Sequence, residues 1–406
     1  MDIGKIIKTK RKELGLTQSE VCEGICSVTH LSKIENNTTS VADDVIQLIC
    51  KRLNINIEEE KKRIENIKLM LNKFREAMIF GKEEVVDEIA DELEREYYYI
   101  ENSELRILYK LYLMRYYLFK EDLDYAYKLG KELEDLRNKF SQLENNLLNH
   151  FWGIYYIVNK DGKRALEFLS NISEDYYYSS IEIDYHLSLA YSLNSSTLLS
   201  YYYGSKALEH FHKHKLFNRV IDAELVLCMQ LAKGDKNEIL LSISKFKELL
   251  ELSSTNYTKA IILHNIGFSL MRLKNYTEAI KYFDEALKHK KRDTYLYLTS
   301  YYAKLFSKIL NNDIVTKSEA ERGLNISRKI NSKKYEVLFQ TMLFYIDNDE
   351  KLYHFLKSKA IDYFISVKLE DHIDFYGQKL IDYYKSKNDL DKALYTAEKL
   401  INAKKM

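Results

Sequence analysis

The sequence predicts an all-α protein: a small N-terminal domain of the five-helix type, followed by a right-handed solenoid of helix pairs. First, its 406 residues contain no proline, where average usage would give about 20, and proline ends helices. Second, apolar residues recur at helical spacing from the N-terminus onward. Third, small residues recur at steps of roughly 33 to 41 residues, the period of stacked helix pairs.

The composition is that of a globular protein without a global charge signal. Hydrophobic residues make up 46% of the chain and charged residues 30%, with a net charge of +1. Neither a signal peptide nor an apolar run of about 20 residues is visible, so no membrane contact is expected. The four cysteines do not form a disulfide framework, which favours a cytoplasmic protein.

The first helix is predicted from Ile3 and Ile6 onward, and Gly15 is expected to cap its C-terminus. Helical spacing puts Lys5, Lys8 and Lys12 on one face of this helix. A local cluster of lysines suits contact with phosphate groups.

Two short helices with N-terminal caps are predicted next. Thr17 is a good N-cap, and Glu20 three residues later completes a capping box for helix 2. Ser27 is expected to cap helix 3, whose Leu31 and Ile34 face the core. A fourth helix follows, with a predicted buried stripe of Val45, Leu48, Ile49, Cys50 and Leu53.

Helices 2 and 3 have the pattern of a helix-turn-helix. A capped support helix precedes a helix whose first exposed residues are small or polar, and such a helix suits the major groove of double-stranded DNA. A short three-helix bundle without DNA-binding function would show the same periodicity. The candidate DNA-binding residues are Gln18, Ser27, Val28, Thr29, His30, Lys33 and Lys5.

The turn between these helices carries a more specific resemblance. Residues 23–27, Glu-Gly-Ile-Cys-Ser, and residues 31–35, Leu-Ser-Lys-Ile-Glu, resemble the lambda-repressor-like helix-turn-helix. They are similar in particular to the RRNPP group of peptide-regulated regulators from low-GC Gram-positive bacteria. The resemblance covers residues 3–66 and implies operator binding controlled by a short signalling peptide. Relatives often carry Gln-Ser where this chain has Val28-Thr29, and Val28 cannot make a bidentate contact to adenine.

A linker helix is predicted over residues 57–75, where acidic and basic residues at i and i+4 support an exposed helix. No Gly/Ser-rich tether follows it. We therefore expect a DNA-binding domain over residues 1–66 and a repeat domain for peptide sensing and dimerisation over residues 67–406, joined so that orientation is transmitted.

The repeats match the tetratricopeptide (TPR) pattern. With Gly267 at position 8 of a 34-residue repeat, Ala279 falls at position 20, Phe283 at 24 and Ala286 at 27. Position-20 alanines recur along the chain and predict eight or nine helix pairs. They are Ala126, Ala165, Ala279, Ala320 and Ala393.

Stacked helix pairs create a concave inner surface lined by the first helix of each repeat. An asparagine there can both donate to and accept from an extended peptide backbone. The resemblance implies such a role, because the pattern Asn-x₁₀-Tyr-x-Glu of related repeats is matched by Asn265, Tyr276 and Glu278. An exposed asparagine can equally be a solvated or capping residue. The candidate peptide-binding residues are Asn265, His264, Phe268, Arg272 and, more weakly, Asn149.

No catalytic, cofactor or metal site is predicted, and an enzyme is not expected. The run His210, His212 and His214 lacks an acidic or cysteine partner nearby in sequence. The expected function is that of a cytoplasmic, homodimeric quorum-sensing regulator that binds operator DNA under peptide control. Two alternatives stay open: a bifunctional member of the group whose repeats also bind a phosphorelay protein, and a phage or mobile-element repressor controlled by a protein antirepressor.

Overall fold

A computed structural model describes residues 3–38, 42–347 and 350–405 of the chain. This part of the protein is helical and contains no β-strand, which confirms the all-α prediction. None of its helices is both long enough and apolar enough to span a bilayer.

Four short helices and the start of a fifth form the N-terminal domain. Their core contains the predicted Leu31, Ile34 and Ile49, together with Ile7 and Val21. The five helices are α1 (Ile3–Glu13), α2 (Gln18–Cys22), α3 (Val28–Glu35), α4 (Asp43–Arg52) and α5 (Ile57–Ile79).

The predicted caps are confirmed. Thr17 and Glu20 form the reciprocal capping box of α2. The Ser27 side chain accepts a hydrogen bond from the backbone N–H of His30 at 3.1 Å. Gly15 follows α1 in the left-handed conformation with a φ of 70°, which explains why glycine suits this position.

One predicted core residue of α4 is wrong. Leu48 is 50% exposed, whereas Ile49, Cys50 and Leu53 are buried. The reason is angular: Leu48 lies two residues before Cys50, about 200° around the helix from it. Ile46 lies on the buried side and packs against the core in place of Leu48.

The chain forms two compact units, Met1–Gln230 and Leu231–Met406. In the first unit, α5 packs against α6, α8 against α9, α10 against α11, and α13 against α14. Its further helices are α6 (Glu83–Arg95), α7 (Tyr97–Glu101), α8 (Arg106–Phe119), α9 (Leu123–Asp135), α10 (Gln142–Val158), α11 (Gly162–Leu169), α12 (Glu174–Ser179), α13 (Ile183–Leu193), α14 (Thr197–Lys213) and α15 (Phe217–Leu231).

The second unit continues the pairing. In it, α17 packs against α18, α19 against α20, α21 against α22, and α24 against α25. Consecutive helices thus pack against each other in both units, as the repeat pattern predicts, and the number of eight or nine pairs stays a prediction. The helices are α16 (Lys236–Leu252), α17 (Asn256–Arg272), α18 (Tyr276–Lys288), α19 (Tyr295–Leu310), α20 (Lys317–Lys329), α21 (Lys333–Ile346), α22 (Lys351–Phe355), a π-helical turn (Leu356–Ala360), α23 (Ile361–Ser366), α24 (Glu370–Ser386) and α25 (Leu390–Lys405).

Small residues set the close approach of paired helices. A Cβ at Gly267 would lie 2.8 Å from the ring of Phe283, so only glycine lets α17 and α18 pack at this distance. Ala279 and Ala286 are fully buried on α18. The position-20 alanines predicted from the sequence, Ala126, Ala165, Ala279, Ala320 and Ala393, are all buried.

The N-terminal domain contacts the first repeats directly within the first unit. The hydroxyl of Thr9 donates to the backbone oxygen of Asn102 at 3.2 Å. Arg63 on α5 forms ion pairs with Glu13 at 3.1 Å and with Glu96 at 2.7 Å. The predicted linker is thus the N-terminal part of a 23-residue helix that also begins the repeats. The division into a DNA-binding domain up to residue 66 and a peptide-sensing domain after it stays a prediction.

Candidate functional site

The exposed N-terminal part of α3 is the candidate DNA-binding surface. Ser27 and Thr29 are exposed, and Val28 is 44% exposed although it is apolar. Lys33 is exposed one turn further along, and His30 is half-buried. The predicted residues therefore lie on the solvent-facing side of α3, from its N-cap to Lys33 in its last turn, while Leu31 anchors the opposite side.

A buried carboxylate holds α1, α2 and α3 together. Glu35 is 2% exposed and accepts hydrogen bonds from Arg11 Nη2 at 2.9 Å and from Arg11 Nε at 2.5 Å. Gln18 Nε2 donates to the same carboxylate at 2.8 Å. Gln18 therefore braces α3 through this carboxylate, and its contact to DNA stays a prediction. Sequence reasoning missed Arg11 and Glu35, because no local pattern links residues 24 positions apart.

Arg52 of α4 holds the turn between α2 and α3 in place. Its Nη1 donates to the backbone oxygen of Val21 at 3.1 Å and also to that of Glu23. These carbonyls lie at the C-terminal end of α2, where helix oxygens have no partner in the helix. The turn that carries Ser27 is therefore held by a cation of α4 as well as by the cap.

Lys5 lies apart from the other predicted DNA-binding residues. Its ammonium pairs with Glu104 of the first unit at 3.1 Å, and the side chain is 49% exposed. A phosphate contact of Lys5 would have to replace this ion pair, and it stays a prediction. Lys8, on the same face of α1, donates to the side chain of Asn36 just after α3 at 3.0 Å.

In the second unit, α17 presents a stripe of predicted ligand-binding residues. His264, Phe268 and Arg272 follow at intervals of four residues, so they share one face. Phe268 is 40% exposed. His264 Nδ1 lies 2.9 Å from the hydroxyl of Ser300. Burial, with the charges of Lys290 and Lys334, lowers the pKa of His264 to about 3, so this ring is neutral.

Arg272 on this face interacts with two other parts of the second unit. Arg272 donates to the backbone oxygen of Ala232 at 2.5 Å and is close enough to Asp371 on α24 to affect its ionisation. Burial raises the pKa of Asp371, and Arg272 opposes that rise. This interaction brings α17 close to α24, although the two helices belong to pairs that are not neighbours. We call the surface that carries His264, Phe268, Arg272 and Asp371 the inner surface of the second unit.

Asn265 lies beside this stripe and is half-buried. Its side-chain nitrogen donates to the backbone oxygen of Ile261 one turn earlier, at 2.8 Å. A peptide backbone would have to bind its side-chain oxygen or displace this local hydrogen bond. Of the other two pattern residues, Tyr276 lies near Asp371, which together with burial raises the pKa of its phenol, whereas Glu278 pairs with Lys281 at 2.6 Å.

Asn149 has a structural environment that its sequence pattern did not indicate. It is 5% exposed, its side-chain nitrogen donates to the backbone oxygen of Asn171 at 3.2 Å, and its side-chain oxygen accepts from Arg137. Both ends of the amide are therefore occupied, and this conformation does not present Asn149 to a ligand. Its predicted peptide contact would require both hydrogen bonds to break.

Two lysines of the inner surface were missed by sequence reasoning. Lys290 donates to the hydroxyl of Ser300 at 2.6 Å, and burial lowers its pKa to about 8. Burial also lowers the pKa of Lys334. Both are close enough to His264 to lower its pKa. In sequence they resemble any surface lysine, so only the fold shows that they face this surface.

Comparisons with known proteins agree with both parts of this description. The helix-turn-helix family matches residues 7–59, and the tetratricopeptide repeat matches residues 260–293. The chain is 22% identical over 389 residues to the transcriptional activator NprA of Geobacillus stearothermophilus, covering 91% of this chain and 95% of that protein.

Two kinds of solved structure share the fold. The apo form of the quorum sensor NprR from B. thuringiensis has a TM-score of 0.68 at 18% identity, covering 84% of this chain and 99% of that one. NprR in complex with its cognate peptide NprX gives 0.64 at 19% identity, covering 81% and 98%. A Rap protein complexed with competence and sporulation factor gives 0.69 at 17% identity, covering 84% and 98%.

The fold and the matched segments thus define a helix-turn-helix protein with a TPR array. The resemblance to RRNPP regulators that its Ile-Cys-Ser turn and its repeats predict is confirmed by these matches.

Proposed function

We propose that this protein is a transcriptional regulator that binds operator DNA as a homodimer under the control of a short signalling peptide. The observation that carries the proposal is the exposed end of α3 at Ser27, Val28 and Thr29, held rigid by the buried Glu35. A fixed helix with small exposed residues at its start suits base contacts in the major groove. The match to NprA over nearly the whole chain supports the same function.

We expect dimerisation because the DNA-binding surface of one copy is small. A single helix-turn-helix makes few phosphate contacts and binds weakly, whereas two copies spaced on a pseudo-palindrome reach regulatory affinity. We infer that the repeats supply the dimer contacts, since they form most of the chain.

The inner surface of the second unit is the proposed peptide site. It combines the exposed Phe268 with Arg272 and with the lysines at 290 and 334, and Asn265 lies beside them. Apolar area with a few polar groups is the usual make-up of a ligand site. The relative NprR binds a cognate peptide, which supports a peptide as the ligand here.

Peptide control requires that the peptide binds one arrangement of the repeats better than another. In this proposal the two arrangements differ in the spacing of the two DNA-binding domains of the dimer. The direct packing of α5 and α7 against α1 supports transmission, because a movement of these helices carries the N-terminal domain with it.

The DNA part is tested by selecting bound duplexes from a random pool with the purified full chain. We expect one enriched pseudo-palindrome. Substitution V28Q should change the preferred bases, whereas K33Q should weaken binding to all duplexes and reduce the salt slope by about 1. K281Q on α18, far along the chain, is the matched charge control. Failure of any sequence to be enriched would refute operator binding.

The peptide part is tested by mass spectrometry of ligands that copurify with the chain, followed by titration of the synthetic peptide found. We expect N265A and F268A to weaken peptide binding while basal operator affinity is kept. The exposed Asn237 at the start of α16 offers the control substitution N237A. If the peptide binds equally well to all three variants, its site lies elsewhere.

A further inference from the structure

The first unit contains a cavity that neither the DNA-binding surface nor the proposed peptide site uses. It has a volume of about 270 Å³ and lies among α5, α8, α10 and the segment around α12. Its polar lining residues include Arg75, Arg115, His150, Tyr176 and Glu182. Its apolar wall is formed by Ile79, Phe80, Leu147, Phe151 and Ile181.

One guanidinium of this cavity has its charge already balanced. Arg115 is 8% exposed and its Nη2 lies 3.4 Å from Glu182, a long contact. Glu182 also accepts from Arg219 at 3.2 Å, and Arg219 pairs with Asp222 at 3.2 Å. Although burial opposes ionisation, Arg115 and Arg219 hold the pKa of Glu182 below its usual range. These four residues form a balanced cluster of two cations and two anions.

Arg75 adds a positive charge that this cluster does not balance. Within the described residues its buried Nε has no hydrogen-bond partner, and no carboxylate forms an ion pair with it. Arg75 is near Tyr112 and Tyr176, since its charge opposes the rise that burial causes in the pKa of both phenols. The remaining carboxylate of the lining, Glu76, is exposed to solvent.

Arg75 and Arg115 therefore line the same cavity, and Arg75 adds a donor that has no partner within the described residues. A guanidinium has five N–H donors in a planar fork that matches a carboxylate, and a buried donor without a partner costs free energy. His150 supplies no further charge, because burial lowers its pKa to about 4 and keeps the ring neutral.

We propose that this cavity binds a carboxylate group of a small ligand, held by the guanidiniums of Arg75 and Arg115 against the apolar wall. Its volume lies just below the range of about 300–1,000 Å³ usual for ligand pockets, so it accommodates a dicarboxylate or one acidic side chain and not a whole peptide. This site is separate from the inner surface near Asn265, and it does not depend on peptide binding there.

The site also lies on the helix that contacts the DNA-binding domain. Arg75 is twelve residues after Arg63 on α5, about 18 Å along the same helix. A ligand on Arg75 therefore contacts the helix whose other half pairs with Glu13 of α1.

The test uses the full chain with succinate as the probe and succinamide as its neutral counterpart, in calorimetric titration and thermal unfolding. A blocked tripeptide Gly-Asp-Gly, compared with Gly-Asn-Gly, distinguishes an acidic side chain from a free dicarboxylate as the source. Arg75→Gln should weaken succinate binding about tenfold or more, because a charge-assisted hydrogen bond is lost. Lys73→Gln, on the exposed side of the same helix, is the matched control and should bind as the natural chain does.

Arg75 is the residue to change because it has no ion pair to break, whereas truncating Arg115 would leave Glu182 buried without its partner. Binding of succinate or of the Asp peptide that needs the charge and Arg75 supports the proposal. The proposal is overturned if neither probe binds at millimolar concentrations, if the neutral probes bind equally well, or if Arg75→Gln binds like Lys73→Gln.

Discussion

Glu35 shows how one buried residue positions the whole DNA-binding surface. Its carboxylate accepts from Arg11 of α1 and from Gln18 of α2, and the side chain is 1% exposed. The side chain of Arg11 is 11% exposed. A buried pair of this kind contributes little net stability compared with an apolar pair, but removing one partner is costly because the other charge stays buried.

We therefore expect Glu35→Ala to lower the local opening free energy of α1 to α3 by about 3 kcal/mol. Hydrogen exchange of these helices in the full chain measures this opening directly. Glu20→Ala removes an exposed carboxylate from the capping box of α2 and should cost much less than Glu35→Ala. The double variant Arg11→Met with Glu35→Leu should recover most of the loss, and an unrecovered loss would contradict a charge-burial cause.

A second prediction at this scale concerns His372. It is buried, its Nε2 lies 2.9 Å from the phenol of Tyr302, and it stacks on Phe306 at 4.4 Å. Burial, with the nearby charge of Lys334, lowers its pKa to about 3. The unfolded chain binds a proton near pH 6.5 and the folded chain does not, so stability is lost as pH falls from about 6.5 toward 3.

His372→Phe should remove up to about 1.4 kcal/mol per pH unit from this pH dependence, although the variant loses the hydrogen bond to Tyr302 at all pH values. Urea unfolding of the full chain at a series of pH values between 7 and 5 gives the slope. An unaltered slope in His372→Phe would show that other groups cause the dependence.

At the scale of elements, the turns between paired helices are made without proline and mostly without glycine. Non-glycine residues occupy the left-handed region there, among them Glu121, Lys160, Ser195, Lys274 and Asn312. This conformation costs an L-residue roughly 1–2 kcal/mol, and asparagine tolerates it better than lysine. The packing of the paired helices therefore stabilises these turns in the left-handed conformation and offsets its free-energy cost.

Lys274 joins α17 to α18 with a φ of 60°, so Lys274→Gly should relieve this cost. The larger freedom of glycine in the unfolded chain offsets part of the gain, which leaves about 0.5 kcal/mol of added stability. The urea midpoint of unfolding measures it. Asn312→Gly at the corresponding turn after α19, with a φ of 59°, should gain less. A loss of stability in Lys274→Gly would mean that the lysine side chain stabilises the turn.

The sequence was most informative where structure is local. The caps at Thr17 and Ser27, the glycine at 15 and the small residues of the clear repeat follow from spacing within one or two turns. The candidate sites depend instead on residues distant in sequence, such as Arg11 with Glu35. No periodicity encodes which charges a fold brings together. The hydrogen bonds of Glu35 and the cavity lined by Arg75 and Arg115 were therefore visible only in the structure.

Asn149 shows that a sequence pattern can also suggest a ligand contact that the fold does not present. Its position within α10 is compatible with a ligand contact, but Arg137 and Asn171 occupy its amide. A sequence pattern places a residue on a helix, and only the packing of neighbouring helices determines whether its polar group faces a ligand or another part of the chain.

At the scale of the whole molecule, the DNA-binding domain is not on a flexible tether. Helix α5 continues from it into the repeats, and Arg63 on this helix connects three elements. Its guanidinium donates to Glu96 through Nε at 3.0 Å and Nη2 at 2.7 Å, pairs with Glu13 of α1 at 3.1 Å, and lies 3.9 Å over the ring of Tyr99. Under the proposed function, a change in the first repeats would reach the N-terminal domain through these packed contacts.

Arg63→Gln should loosen this connection while both parts stay folded, because the side chain is 32% exposed and its ion pairs contribute about 1 kcal/mol in total. We expect faster hydrogen exchange in α1 and α7 and unchanged exchange in the second unit. Lys61→Gln removes an exposed pair with Glu58 on the same helix and should change neither region. If α1 keeps its protection in Arg63→Gln, the contacts of Thr9 and Lys5 hold the domain by themselves. If its protection falls, operator binding in this variant should also respond less to a ligand of the repeats, because the domain no longer moves with α5.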